Sequence, residues 1–154
     1  MQDLISVLDL PFPATLHYHI DYNVWLRLEP DDSVLLGITA YACAMTGELF
    51  SFVPKTPGLI LEAGRSIGIV EFRKTAGAVK TPLPGTLLAV NGDVTRQPNL
   101  VNADPYGAGW LARIAPRNWR LAAASLVTGA AIEPAFVAQM ARDGYPDEVR
   151  DDAA

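Results

Sequence analysis

The chain has 154 residues, 50% of them hydrophobic and 19% charged, with a formal net charge of −5. A chain of that size fits one domain that buries roughly 70% of the surface its unfolded form exposes. The acidic balance excludes a nucleic-acid binder, because no basic stripe exists to replace phosphate counterions.

In chain order, the segment Met1 to Pro13 has no basic leader, and aspartates and prolines cut its apolar stretch, so no export signal is expected. No apolar run reaches the roughly 20 residues of a membrane-spanning helix. Cys43 is the only cysteine and has no internal disulfide partner, which suits a reducing compartment, and a cytoplasmic protein is expected. Residues 1–17 read as an N-terminal extension. Strand-like runs bounded by turn residues then recur at spacings of about ten residues, the pattern of a β-sandwich or barrel. The expected strands are Tyr18 to Ile20, Trp25 to Glu29, Ser33 to Ile38, Glu48 to Val53, Ser66 to Phe72, Ala78 to Pro82, Gly85 to Asn91 and Gly109 to Ala115. Thr39 to Thr46 reads as a short helix after the third strand, with the Thr39 hydroxyl as its N-cap. Cys43 in that helix reads as a small buried apolar residue.

Residues 18–116 thus form the β-domain, and residues 117–144 read as C-terminal helices packing on it. Pro134 suits a first helical position, Phe136, Val137 and Met140 fall on one apolar side, and Gly144 is the expected C-cap. Residues 145–154 read as a mobile tail.

The candidate for chemistry is Lys74, one of three lysines against nine arginines. It follows the apolar run Ile67 to Val70 and precedes a second extended run, Gly85 to Val90, so it is expected on an exposed turn between core-anchored strands. There an enzyme can grip it and a long prosthetic group can swing. Taken singly, the surrounding features are ordinary. Glu71 and Lys74 make a solvated pair, Asn102 to Gly107 makes a turn, and Trp110 is a core residue. No Ser-His-Asp, Cys-His or metal-spaced cluster is present. His17 and His19 alternate on one strand, far in sequence from Cys43, which is too little for a nucleophile or a metal site.

Several blocks, taken together and in order, resemble the glycine-cleavage H-protein family of lipoyl carriers. Asn23-Val-Trp-Leu-Arg27 is similar to the family's His-Glu-Trp-Val-Arg, and Val34 to Ala42 to its Val-Gly-Ile-Thr-x-Tyr-Ala block. Gly68-Ile-Val-Glu-Phe-Arg-Lys74 matches the run ending Val-Glu-Ser-Val-Lys. Pro82-Leu-Pro-Gly85 resembles Ala-Pro-Val-Ser-Gly, and Leu100 to Leu111 is nearly the whole signature Leu-Val-Asn-x-Asp-Pro-Tyr-Gly-Glu-Gly-Trp-Leu. The resemblance spans roughly Tyr18 to Met140. It implies a mainly β barrel-sandwich hybrid, lipoic acid in amide linkage on Lys74, and a carrier protein rather than an enzyme, with no metal. Glu71 and Arg73 become candidates for recognition by the lipoate ligase or lipoyl transferase.

The departures from the family bear on the cargo. An aminomethylated arm is cationic and is favoured by a nearby carboxylate. The glutamates of His-Glu-Trp and Tyr-Gly-Glu-Gly are Val24 and Ala108 here, and Lys74-Thr-Ala-Gly-Ala lacks the family's acidic residue after the lysine. These losses favour the lipoate-binding branch that serves heterodisulfide-reductase-like sulfur oxidation, which the chain also resembles in its Phe12-Pro13 lead-in, its Val24-Trp25 pair and its longer alanine-rich C-terminal helix region. The alternative is a glycine-cleavage H protein working with the glycine-cleavage enzymes. Dihydrolipoamide dehydrogenase is a further expected partner, and nucleic acid and membrane are not. Two readings from other classes also stand: an unmodified interaction module, and a biotinyl domain, which would want Met-Lys-Met where Arg73-Lys74-Thr75 stands.

Overall fold

The computed structural model of the protein describes residues 3–147. The first elements are the strands β1 (Leu4–Val7) and β2 (Leu10–Pro13), then β3 (His17–His19), β4 (Val24–Leu28), β5 (Val34–Ile38) and the helix α1 (Ala40–Thr46). Next come β6 (Leu49–Pro54), β7 (Ile60–Leu61), β8 (Ser66–Phe72), β9 (Ala76–Lys80) and β10 (Gly85–Val90). The short helices α2 (Gly92–Arg96) and α3 (Leu100–Ala103) precede β11 (Ala112–Pro116), and α4 (Trp119–Ala123) and α5 (Ile132–Asp143) follow it. All strand pairs are antiparallel, in a six-stranded sheet ordered β3-β4-β5-β11-β10-β7, a three-stranded sheet ordered β6-β8-β9, and the hairpin β1-β2. The result is the barrel-sandwich hybrid expected from the sequence.

Two cores lie on opposite faces of β4 and β5. Val24, Leu26, Val34 and Leu36 point into the space shared with the three-stranded sheet, where they meet Phe52, Ile67 and Val70. Trp25 and Leu35 point the other way, onto Phe12, Tyr18, Phe136 and Met140. Burial on both faces explains why β5 and the first three residues of β4 are apolar runs rather than alternating ones. The indole needs room: Gly37 is the cross-strand partner of Trp25, and a Cβ there would lie 2.6 Å from the ring.

The sequence missed three strands. Pro11 and Pro13 argue against a strand, yet proline is tolerated at the edge of a two-stranded pair, and the connecting Leu8 and Asp9 take positive φ values of 47° and 67°. β7 has only two residues, too few to show a period. Expected boundaries also shift. The strand expected from Ala78 begins at Ala76, because the hairpin closes tightly over residues 73–75, and the strand expected from Gly109 begins at Ala112.

Thr39 caps α1 as expected, its hydroxyl accepting from the Ala42 amide at 3.1 Å and donating to Asn23 Oδ1. Thr39→Ala is expected to lower stability by about 1–2 kcal/mol in urea unfolding, since it removes a cap and the donor to the half-buried Asn23 Oδ1. In α5, Pro134 is the third residue rather than the first, which is harmless because the first four helix amides have no intrahelical acceptor. Ile132, Phe136 and Met140, four apart, are buried, whereas Val137 is rotated off that stripe and is 50% exposed. Gly144 ends the helix in the left-handed region, with φ 69°. Of the expected tail, Tyr145 packs edge-on against Tyr41 at 5.2 Å, and residues 148–154 lie outside the described part. No helix among the described residues is long and apolar enough to cross a membrane.

Candidate functional site

Strands β8 and β9 form a hairpin whose tip is Arg73-Lys74-Thr75, closed by the Phe72 amide donating to the Thr75 carbonyl at 2.7 Å. All three tip residues are exposed. The tip is held by the main chain: the Arg73 amide donates to the Glu48 carbonyl at 2.9 Å, and the Lys74 amide donates to the Thr46 carbonyl at 3.2 Å. The loop that offers those carbonyls is itself pinned from the signature block. Asn102 Oδ1 accepts from the Leu49 amide and Asn102 Nδ2 donates to the Gly47 carbonyl, both at 2.9 Å. Asn102 thus positions the lysine two hydrogen-bonded steps away, a role that sequence reasoning did not assign to it.

The rest of the signature block is structural. Trp25 Nε1 donates to the Pro105 carbonyl at 2.9 Å. The Tyr106 hydroxyl donates to the Pro11 carbonyl and accepts from the Ala40 amide. Asp104 accepts from the Ala108 amide, and Asn91 donates to the Ala108 and Trp110 carbonyls. Half-buried Trp110 packs against the second core.

Beside the tip, a groove of about 340 Å³ runs between β9 and a wall made by residues 20–23, α1 and α5. Its floor is apolar, with Ile38, Val70 and Val79, and its wall carries two carboxylates, Asp21 and Asp143. Asp143 Oδ2 accepts from the Tyr41 hydroxyl at 2.6 Å and from Gln139 Nε2 at 3.3 Å, so the last turn of α5 is tied to α1. Neither aspartate was singled out by the sequence, because no local pattern links residues so far apart. Val24 is fully buried in the core and Ala108 lies in the Asp104 turn; neither lines the groove.

Of the other candidates, Arg73 shares the tip with Lys74, whereas Glu71 points to the outer face of the three-stranded sheet, opposite the groove-lining Val70 and Phe72. His17 lies against Trp119. His19 stacks on Tyr22 at 3.9 Å and accepts that residue's amide on Nδ1. Cys43 packs against the first core, where burial pushes its thiol pKa up to about 12. Native protein at pH 8 is therefore expected to resist iodoacetamide while urea-unfolded protein reacts fully, a difference that intact mass reads directly.

A rigid β-pedestal that presents one lysine at an exposed tip beside a sheltering groove is the build of a covalent-arm carrier. A family model described as "Glycine cleavage H-protein" matches residues 16–138. The chain is 45% identical over 107 residues to a "Glycine cleavage system H protein" of Chromobacterium violaceum, covering 69% of this chain and 82% of that protein. It is 36% identical over 133 residues to the protein of that name from Mycobacterium avium, covering 86% and 92%. A crystal structure of a glycine cleavage system H protein from Mycobacterium marinum superposes with a TM-score of 0.69 at 28% identity, covering 86% of this chain and 99% of the other. The chain belongs to the glycine cleavage H-protein family. Members of that family are carriers rather than enzymes and bear covalently attached lipoate on a lysine.

Proposed function

We propose that Lys74 is the lipoylated residue and that the protein carries the aminomethyl group of glycine cleavage between the enzymes of that system. The observation that carries this reading is the placement of Lys74 at an exposed tip next to a groove with an apolar floor and two wall carboxylates, Asp21 and Asp143. When attached, a lipoyl group supplies a dithiolane that accepts a group or two electrons. The residues of the chain do the rest. The tip holds the attachment point still, Ile38, Val70 and Val79 offer apolar surface to the arm, and the carboxylates favour a cationic cargo through charge-assisted hydrogen bonds.

Sulfur oxidation is favoured by the lost carboxylates and by a resemblance to that branch in Phe12-Pro13, Val24-Trp25 and the alanine-rich C-terminal helix region. Val24 and Ala108 stand outside the groove, and although residues 75–78 line it without a carboxylate, Asp21 and Asp143 stand on its wall and the relatives favour glycine cleavage. In this reading a lipoate ligase or lipoyl transferase modifies Lys74, with Glu71 and Arg73 in reach of that enzyme. Glycine-cleavage enzymes and dihydrolipoamide dehydrogenase are the cytoplasmic partners, each engaged transiently, because a shuttle must leave as readily as it docks. The test is mass spectrometry of protein from a lipoylating host, incubated with glycine and purified glycine decarboxylase. The expected result is one lipoyl group on Lys74 that gains an aminomethyl increment; a lipoylated Lys74 that never gains it would return the sulfur-oxidation reading.

A further inference from the structure

The two larger sheets have four edges, and three are blunted. β3 is bridged by Val127, through the Tyr18 amide to the Val127 carbonyl at 2.8 Å and the return bond at 2.9 Å. β7 is two residues long, and β6 ends in Pro54, which has no amide to offer. The fourth edge, β9, reads Ala76-Gly77-Ala78-Val79-Lys80, with its only charge at the far end. Natural sheets protect exposed edges with charges, prolines or cover, and β9 has none of these along its first four residues.

The register says which groups the edge presents. Phe72 and Thr75 form a hydrogen-bonded pair, so by alternation Val70 and Gly77 form the next one, and the main-chain groups of Ala76 and Ala78 point away from β8. Among the described residues, Ala78 makes no main-chain bond beyond that edge, and the Ala76 carbonyl takes only a 3.4 Å contact from the Thr75 hydroxyl. Side chains leave the approach open, since both alanines are small and a Cβ on Gly77 would meet nothing within 4 Å. The groove supplies the space alongside.

We propose that β9 is the docking edge for the enzyme that acylates Lys74, which adds an extended strand to it through main-chain hydrogen bonds. This rests on the assignment of Lys74 above. The occupant follows from position: the open edge starts two residues after Lys74, so a strand paired there fixes the distance from the enzyme to the lysine whatever the side chains between. In the step served, Lys74 Nζ forms an amide bond to the lipoyl carboxyl carbon of an acyl adenylate. The bond from that carbon to phosphate oxygen breaks, AMP leaves with the bonding pair, and the amine gives up a proton. Pairing by the main chain is a known route to affinity for extended segments.

Ala78→Pro removes the outward amide and leaves the β8–β9 ladder whole, since proline is tolerated where the amide faces out of a sheet. The assay uses apo protein, an ATP-dependent lipoate–protein ligase, lipoic acid and ATP, followed by intact mass. The expected result is a fall in kcat/KM of about tenfold or more, with an unchanged melting temperature and an unchanged rate of Lys74 acetylation by acetic anhydride. In wild-type protein, amide exchange at Ala76 and Ala78 should slow when ligase is present. Equal lipoylation of Ala78→Pro with no exchange protection would overturn the proposal while leaving the function standing; a wild-type chain never modified on Lys74 would overturn both. A concentration-dependent dimer lost in Ala78→Pro, with lipoylation unchanged, would assign the edge to a second copy of this chain instead.

Discussion

Protein carrying Lys74→Arg is expected to emerge from a lipoylating host without any added mass, and with a stability within about 0.5 kcal/mol of the parent. Arginine keeps the length and the positive charge, but its guanidinium stays protonated at all accessible pH and cannot attack an acyl carbon. The fold should barely notice the change, because the Arg73 and Lys74 amides that fasten the tip are kept. Lys80 is the internal control. It lies at the far end of β9, with its ammonium 5.7 Å from the centre of the Tyr22 ring. Peptide mapping that found the lipoyl group on Lys80 or Lys55 would overturn the assignment of Lys74.

Phe136→Ala is expected to cost about 3–5 kcal/mol in urea unfolding, a large share of the 5–15 kcal/mol typical of a domain. The Phe136 ring is fully buried, stacked on Phe12 at 4.1 Å and edge-on to Tyr18 at 5.5 Å and Tyr41 at 6.4 Å. It joins α5, the β1-β2 hairpin and the back of the six-stranded sheet in one cluster, and no neighbour can fill the space it would leave without moving a strand. The three-stranded sheet packs in the other core, which lacks Phe136, so the surviving folded fraction should still be lipoylated on Lys74. A loss below 1 kcal/mol would mean that α5 and the hairpin contribute little to the fold.

Legibility in the sequence followed the locality of the cause. Eight strands were readable because each is a short apolar run between turn residues, and α1 because Thr39 announces it. The β1-β2 hairpin was hidden by Pro11 and Pro13, whose cost depends on which side of the strand meets solvent. Lys74 stood out because neighbouring blocks framed it. The groove did not, because Asp21 and Asp143 are joined only when α5 folds back over α1. The preference for sulfur oxidation drew on a similar blind spot, since a carboxylate lost at one position says little until the cavity wall is known, and the relatives support the glycine-cleavage alternative better. The holders of the tip were also silent, since the carbonyls of Thr46 and Glu48 belong to the main chain and carry no residue code.

With Lys74 as the proposed attachment point, those two carbonyls set the root of a tether. A flexible arm searches a shell centred on its anchor, and any wander of the anchor smears that shell and dilutes the arm's end at each partner's entrance. Stitching the root to the loop between α1 and β6 removes that wander without dictating the side chains at positions 73–75. Residues at the tip can therefore change to suit a different ligase or client while the arm's reach stays the same.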